Sequence, residues 1–215
     1  MMLTEPLAGL ISRLESNLSI SNQTMLELLS EANITREDIE QYSSYDHPAN
    51  LSYGRRGVYL SDRVRVFVLS WNIGDFTAIH DHEPAEWGAV QFFGDISHRL
   101  YTTKENQIVL SASDVIHIGT MVGVSGNLIH AMGNLSAERA LTLHIYGTNS
   151  KFNQDLTARV FDLEMERVVL TDGPAYLDRP ATSCKVLPDR IRADQATLED
   201  YQKNTLIWRK RTIPV

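Results

Sequence analysis

The feature that most constrains the fold is a long run of short, strand-like segments between residues 57 and 170. Each segment is rich in β-branched or aromatic residues, many alternate apolar with polar positions, and Asn-, Gly- or Ser-containing breaks separate them. Many short strands at such regular spacing are typical of a β-sandwich or barrel. The predicted strands are GVYLSD, VRVFVLSW, TAIHDH, GAVQFFG, ISHRLYTT, QIVLSASDVIHIG, NLIHAMGN, ALTLHIYG and ARVFDLEMERVVL.

Helical patterns lie on both sides of this run. Within residues 4–42, apolar residues recur at helical spacing in LAGLISRLESNL and TMLELLSEA. Thr35 followed by Asp38 is typical of a further helix start. Residues 43–52 are polar and contain a proline, which predicts a loop. Helical spacing returns after residue 188, in DRIRADQATLEDYQKNTL.

These patterns predict one mainly β domain with helical additions at both ends. We expect N-terminal helices packed on the barrel over 1–45, the β-barrel over 46–172, and a C-terminal extension with a helix over 173–215. A chain of 215 residues with 43% hydrophobic and 22% charged residues is ordinary for such a domain and can bury a substantial core.

Charge and hydropathy exclude several classes of partner. The net charge is −7 and no basic cluster is long enough to bind a phosphate backbone, so we expect no nucleic acid partner. The short RKR at 209–211 is expected to be a solvated tail. No apolar run reaches membrane-spanning length and no signal-peptide pattern is present, so we expect a cytoplasmic protein without a membrane partner.

The single cysteine, Cys184, limits thiol chemistry within the chain. One cysteine cannot form an intrachain disulfide or a zinc–thiolate cluster. It lies in the turn-like segment RPATSCKVLPD, with no histidine nearby in sequence, so a structural role is expected rather than a catalytic one.

Two histidines on one predicted strand are candidate metal ligands. In a strand, residues i and i+2 face the same side, so His80 and His82 project together, about 7 Å apart at the backbone. Asp81 then faces the opposite side, where a structural contact is expected. A third ligand must come from elsewhere, and His130 lies in another predicted strand. For His80 and His82, spacing alone does not decide between metal ligands and histidines with ordinary hydrogen bonds. An ordinary surface or core role is expected for three other histidines, His47, His98 and His117.

The histidine pattern matches a known motif. Gly74, His80, His82 and Glu86 have the spacing of the first cupin motif, G-x5-H-x-H-x3-E. The second cupin motif ends in H-x3-N, which His130 and Asn134 match, although its upstream glycine and proline positions fit poorly. The resemblance implies a cupin (jelly-roll) β-barrel with a metal in its mouth and makes Glu86 a possible fourth ligand.

Within the cupins, the chain resembles the cysteine dioxygenase family over roughly residues 50–172. Four segments carry the resemblance, in the family's order: YGRRGV, LSWNIGDFTAIHDH, LIHAMGN and LTLHIYG. The first matches a Tyr-x-Arg segment whose arginine binds the substrate carboxylate, the second and third match the segments that hold the iron ligands, and the fourth matches a Ser-x-His-x-Tyr triad.

The resemblance implies a non-haem iron(II) thiol dioxygenase. Such an enzyme uses O2 to oxidise the thiol of cysteine, or of a related carboxylated thiol such as mercaptopropionate, to a sulfinate. The implied cofactor is Fe(II). Arg56 is the alternative to Arg55 if the register shifts by one residue. The implied roles are metal binding by His80, His82 and His130, substrate binding by Arg55, Tyr53 and Trp71, and catalysis by Tyr146, His144 and Thr142.

The chain departs from animal members of the family. Those members carry a cysteine that crosslinks to the triad tyrosine, and no cysteine lies between Tyr53 and Tyr146. The resemblance is therefore to bacterial members without the crosslink, with either Gly88 or Trp87 at the crosslink position. Two other functions remain open: a different cupin enzyme that uses three histidines and Glu86, and a cupin that binds a metal or ligand without catalysis. The sequence leaves a monomer and a small homo-oligomer equally open.

Overall fold

A computed structural model describes residues 2–82, 84–152, 158–171, 173–178 and 185–212. Capping residues explain where the N-terminal helices begin: the Ser21 hydroxyl accepts a hydrogen bond from the Thr24 backbone N–H, and Asp38 accepts one from the Thr35 N–H, as the Thr35–Asp38 pattern predicted. The described helices are α1 (Glu5–Ser16), α2 (Asn22–Ala32), α3 (Arg36–Glu40) and α4 (Gln195–Thr212).

The strands occupy most of the region in which the sequence predicted them. They are β1 (Gly54–Leu60), β2 (Val64–Trp71), β3 (Ile79–His80), β4 (Trp87–Phe93), β5 (Ile96–Lys104), β6 (Gln107–Ile116), β7 (Met121–Gly123), β8 (Ile129–Gly133), β9 (Ala140–Gly147), β10 (Ala158–Asp162), β11 (Arg167–Thr171), β12 (Lys185–Arg190) and β13 (Arg192–Ala193).

The described strands form two sheets in jelly-roll order. One sheet has the order β1-β2-β9-β4-β7 and the other β12-β11-β10-β3-β8-β5-β6-β13. If the strands from β2 to β9 are counted one to eight, the two sheets contain strands 1-8-3-6 and 2-7-4-5. That alternation between sheets is the double-stranded β-helix of a jelly roll. The predicted fold, a mainly β jelly-roll barrel with helices at both ends, is confirmed.

Three local predictions differ from the structure. The segment ARVFDLEMERVVL forms two strands, β10 and β11, joined by a turn in which Glu166 has φ 48°. Strand β7 was not predicted, because three residues are too few to show a period. The DRIRAD part of the predicted C-terminal helix is instead extended, since β12 pairs with β11 and β13 pairs with β6. Here strand pairing outweighs local helical spacing.

The alternation of β2 separates a packed outer face from an inner face that lines the barrel. Val64, Val66 and Val68 are buried against the N-terminal helices, in one apolar cluster with Leu7 and Met25 of α1 and α2. Their neighbours along the strand therefore face the interior. The inward residues are Arg65, Phe67, Leu69 and Trp71.

The C-terminal helix is fastened to the barrel by its basic residues. Arg209 bonds to Glu164 through both terminal nitrogens, at 3.0 and 2.9 Å, and Arg211 forms an ion pair with the buried carboxylate of Asp75. The expectation of a solvated tail at 209–211 is therefore wrong for these two arginines, which find acidic partners that lie far away in sequence. Cys184 lies outside the described residues. None of the helices in the described part of the chain has both the length and the apolar character that a membrane crossing needs.

Asp75 is the carboxylate on which this fastening depends. Its side chain is fully buried and also lies 3.1 Å from His47 Nε2. We expect Asp75→Asn to lower the free energy of unfolding by about 3 kcal/mol, because the substitution leaves Arg211 without a charged partner. Urea unfolding measures the change. Asp95→Asn is the matched control: Asp95 pairs with His117 at the surface, so its loss should cost under about 1 kcal/mol. Equal losses in the two variants would contradict the expectation.

Candidate metal centre

The fold brings the three predicted ligand histidines together. Strand β3 pairs with β8 so that His80 stands directly opposite His130, and His82 follows two residues later. The ring centroids of the three imidazoles are 4.6 to 4.9 Å apart. One ring nitrogen from each histidine lies within 4.8 Å of the other two. This cluster has the size that a single coordinated ion requires.

The hydrogen bonds of the cluster leave ring nitrogens available to a metal. His80 Nδ1 lies 2.9 Å from the Ala78 carbonyl oxygen, which can only accept, so Nδ1 carries the hydrogen and Nε2 keeps its lone pair. His130 Nδ1 lies 2.8 Å from His98 Nε2, while His130 Nε2 is buried without a hydrogen-bond partner in the described residues. His82 Nδ1 is likewise buried and unpartnered.

Burial keeps all three imidazoles neutral. Desolvation lowers the pKa of His80 to about 4 and lowers the pKa values of His82 and His130 well below 6.5, and nearby histidines lower the latter two further. A neutral imidazole is the form that binds a metal. Unpartnered buried nitrogens and neutral rings together fit a divalent ion, and the cluster is compatible with metal binding.

Glu86 lies away from the histidines. Its carboxylate is exposed and accepts hydrogen bonds from Thr148 Oγ1 at 2.7 Å and from the Asn149 backbone N–H at 2.9 Å. These two hydrogen bonds lower its pKa. The described residues that form the potential metal cluster do not include Glu86.

A row of hydrogen-bonded side chains runs along β9 to the cluster. Thr142 Oγ1 lies 2.8 Å from His144 Nε2, His144 Nδ1 lies 2.9 Å from the Tyr146 hydroxyl, and that hydroxyl lies 3.2 Å from His82 Nε2. At the far end, Trp71 Nε1–H donates to Thr142 Oγ1 at 2.9 Å. The structure thus places Trp71, which was expected to bind substrate, fully buried behind the row.

The donor and acceptor of each hydrogen bond in this row follow from the indole N–H of Trp71 at its far end. An indole N–H can only donate, so Thr142 accepts from Trp71 and has its own hydrogen to give to His144 Nε2. His144 is buried and neutral, with its pKa lowered to about 3, and therefore carries its hydrogen on Nδ1 and donates to Tyr146. The Tyr146 hydrogen is then free to point toward the histidine cluster.

Arg55 and Tyr53 lie on the other side of the same interior. The Arg55 guanidinium stacks over the Phe67 ring at 3.7 Å and lines, with His82 and Tyr146, a cavity that opens to solvent. Tyr53 is buried, and its hydroxyl accepts a hydrogen bond from the Ala175 N–H at 2.9 Å. The neighbouring Arg56 is exposed, because it faces the opposite side of β1.

The structure also places the two candidates for the crosslink position. Gly88 on β4 stands directly opposite Tyr146 on β9, and a Cβ atom at Gly88 would lie 3.0 Å from Tyr146 Cδ1. Trp87 faces the other way and is fully buried in the cluster beneath the N-terminal helices. Gly88 is therefore the residue beside the tyrosine.

His98 is the site residue for which sequence reasoning expected only an ordinary role. Its ring bonds to His130, so it orients a candidate ligand. The available signal was its place on the apolar face of an alternating strand, between Ile96 and Leu100. By contrast, Asp81 makes the expected structural contact: its buried carboxylate accepts from Arg159 Nε at 2.7 Å.

Comparison with known proteins finds structural likenesses at low sequence identity. No protein-family model matches the chain. A Klebsiella pneumoniae protein with a double-stranded β-helix domain is similar at 15% identity and a TM-score of 0.43, over 57% of this chain and 89% of that one. The Schizosaccharomyces pombe Cnp3 cupin domain is similar at 8% identity and a TM-score of 0.39, over 49% and 67%. An oxalate oxidase in complex with glycolate is similar at 13% identity and a TM-score of 0.41, over 51% of this chain and 56% of that one.

The contact between His98 and His130 yields a prediction about metal affinity. A partner that accepts the Nδ1–H of a ligand histidine fixes the ring and raises its basicity, so we expect His98→Ala to weaken the binding of a divalent metal about 10- to 100-fold, with Fe(II) as the probe. Anaerobic titration calorimetry measures the dissociation constant. The control is His117→Ala, whose ring is exposed and pairs with Asp95 at the surface. If both variants bind Fe(II) as tightly as the unmodified chain, His98 has no part in the site.

Proposed function

We propose that the chain is a non-haem iron(II) thiol dioxygenase that oxidises cysteine, or a small carboxylated thiol such as mercaptopropionate, to a sulfinate with O2. One observation carries the proposal: one cavity is bordered by His80 and His82 of the histidine cluster, by the hydroxyl end of the Thr142–His144–Tyr146 row and by Arg55. Held by three neutral imidazoles, Fe(II) would supply the redox chemistry and leave coordination positions for thiolate and O2.

In this proposal Arg55 binds the substrate carboxylate. A guanidinium presents a planar fork that matches a carboxylate, and stacking on Phe67 holds that plane in place. No carboxylate of the described residues pairs with Arg55. The guanidinium is therefore available to an acid that enters the cavity.

Tyr146 acts as a hydrogen-bond donor to the bound substrate. Burial raises the pKa of its phenol, so it stays protonated at neutral pH. Because His144 donates to the phenol oxygen, the phenolic hydrogen is not used by His144 and can be given to a group bound in the cavity. The row thus orients one donor at the end of the cavity where the thiol is held.

The competing function, a cupin enzyme with three histidines and Glu86 as ligands, is less well supported by the geometry. Glu86 would have to give up hydrogen bonds from Thr148 and Asn149 and enter the barrel. Its depressed pKa shows that the present position stabilises the charged carboxylate where it is.

Oxygen consumption with a panel of thiols tests the proposal. The chain is loaded anaerobically with Fe(II), and O2 uptake is followed with cysteine, 3-mercaptopropionate and cysteamine, which lacks a carboxylate. We expect uptake with at least one carboxylated thiol, with one O2 consumed per sulfinate formed, and far slower uptake with cysteamine. If no thiol consumes O2 while the iron stays bound, the dioxygenase proposal fails.

Removal of the Glu86 charge separates the two cupin functions. We expect Glu86→Gln to retain the iron content of the unmodified chain, because its carboxylate lies on the surface. The control is His82→Gln, which removes a ring of the cluster and should lose most of the metal. Iron content after dialysis is measured by elemental analysis. Loss of iron in Glu86→Gln, comparable to that in the control, would instead favour the four-ligand site.

A further inference from the structure

A second arginine borders an adjoining cavity, which shares Arg55, His82 and Tyr146 with the cavity at the histidines. Arg65 pairs with Tyr146 across the β2–β9 register, so its side chain projects from the same inward face as the tyrosine. It lines this adjoining cavity together with Arg55, Phe67 and His82. The sequence reasoning assigned it no role.

Neither guanidinium forms an ion pair with a carboxylate of the described residues. Arg65 Nε is buried without a hydrogen-bond partner, and no ion pair or hydrogen bond joins Arg65 or Arg55 to a carboxylate there. Each group instead lies over an aromatic ring, Arg55 over Phe67 at 3.7 Å and Arg65 over Phe152 at 4.9 Å. The rings fix the planes of the guanidinium groups but leave their N–H donors unused.

The two positive charges also repel each other. Burial lowers the pKa of Arg65 and the charge of Arg55 lowers it further, whereas the charge of Asp62 raises it. Neither cation forms a direct ion pair with a described carboxylate, so an anionic ligand between them would offset their repulsion. The described residues that line the two cavities contain no Asp or Glu.

We propose that Arg65 forms a second anion subsite and that the substrate is a small thiol with two carboxylates, one held by Arg55 and the other by Arg65. This inference rests on the proposed dioxygenase function and narrows its substrate class. The reaction is R–SH + O2 → R–SO2⁻ + H⁺: the O–O bond breaks, two S–O bonds form, sulfur loses four electrons and O2 gains them.

Anaerobic binding measures the subsite without turnover. Titration calorimetry on the Fe(II)-loaded chain compares mercaptosuccinate, which has two carboxylates, with 3-mercaptopropionate, which has one. We expect mercaptosuccinate to bind at least about tenfold more tightly. Arg65→Gln should abolish that preference and leave the affinity for mercaptopropionate unchanged, while Arg65→Lys, which keeps the charge, should retain part of it. Arg56→Gln is the matched control, because it removes an exposed arginine on the opposite face and should leave the preference intact.

Parallel O2 uptake separates this inference from the function on which it rests. An Arg65-dependent preference for mercaptosuccinate supports the subsite, and uptake with that thiol supports both proposals. The same preference with no uptake from any thiol supports the subsite and overturns the dioxygenase function. Uptake with carboxylated thiols but equal affinity for the two probes, or a preference that survives Arg65→Gln, overturns the subsite and leaves the dioxygenase function standing.

Discussion

The register between β9 and its two neighbours determines which side chains of that sheet line the cavity. β9 is the central strand of its sheet, and its inward residues stand opposite inward residues of β2 on one side and β4 on the other. Tyr146 thereby has Arg65 on one side and Gly88 on the other. A slip of one residue would turn the whole row to the outer face, where the N-terminal helices pack. Burial of the valines of β2 and of Leu141, Leu143 and Ile145 against those helices prevents that slip.

The sequence could predict what depends on alternation within one strand. The shared face of His80 and His82, and that of Thr142, His144 and Tyr146, follows from a period of two and needs no knowledge of neighbouring strands. The barrel was predictable for the same reason, since its strands each carry the pattern. Segments whose conformation depends on a partner were not predictable: β7 is three residues long, and β12 is extended because β11 pairs with it.

The parts of the site that sequence could not place are those created by pairing between strands. Whether Gly88 or Trp87 stands beside Tyr146 depends on the register after the turn that follows His82, which local pattern does not determine. His98 joins the site because β5 lies next to β8, and Arg65 joins it because β2 lies next to β9. The local sequence around His98 and Arg65 carries no sign of a functional role. Their neighbours in the site come from the order of the strands in the sheets.

Unsatisfied polar atoms connect the cavity to its function. Folded proteins pair nearly all buried polar atoms, because an unpaired one costs about 1–3 kcal/mol. Among the buried polar atoms without a hydrogen-bond partner in the described residues, His82 Nδ1 and His130 Nε2 lie in the histidine cluster, and Arg65 Nε lies at the cavity wall. The imidazoles offer lone pairs and the guanidinium offers hydrogens, so one ligand type cannot satisfy both. A cation at the histidines together with an anion at the arginines would satisfy all of them, which is the arrangement that a metal-bound, carboxylated substrate provides.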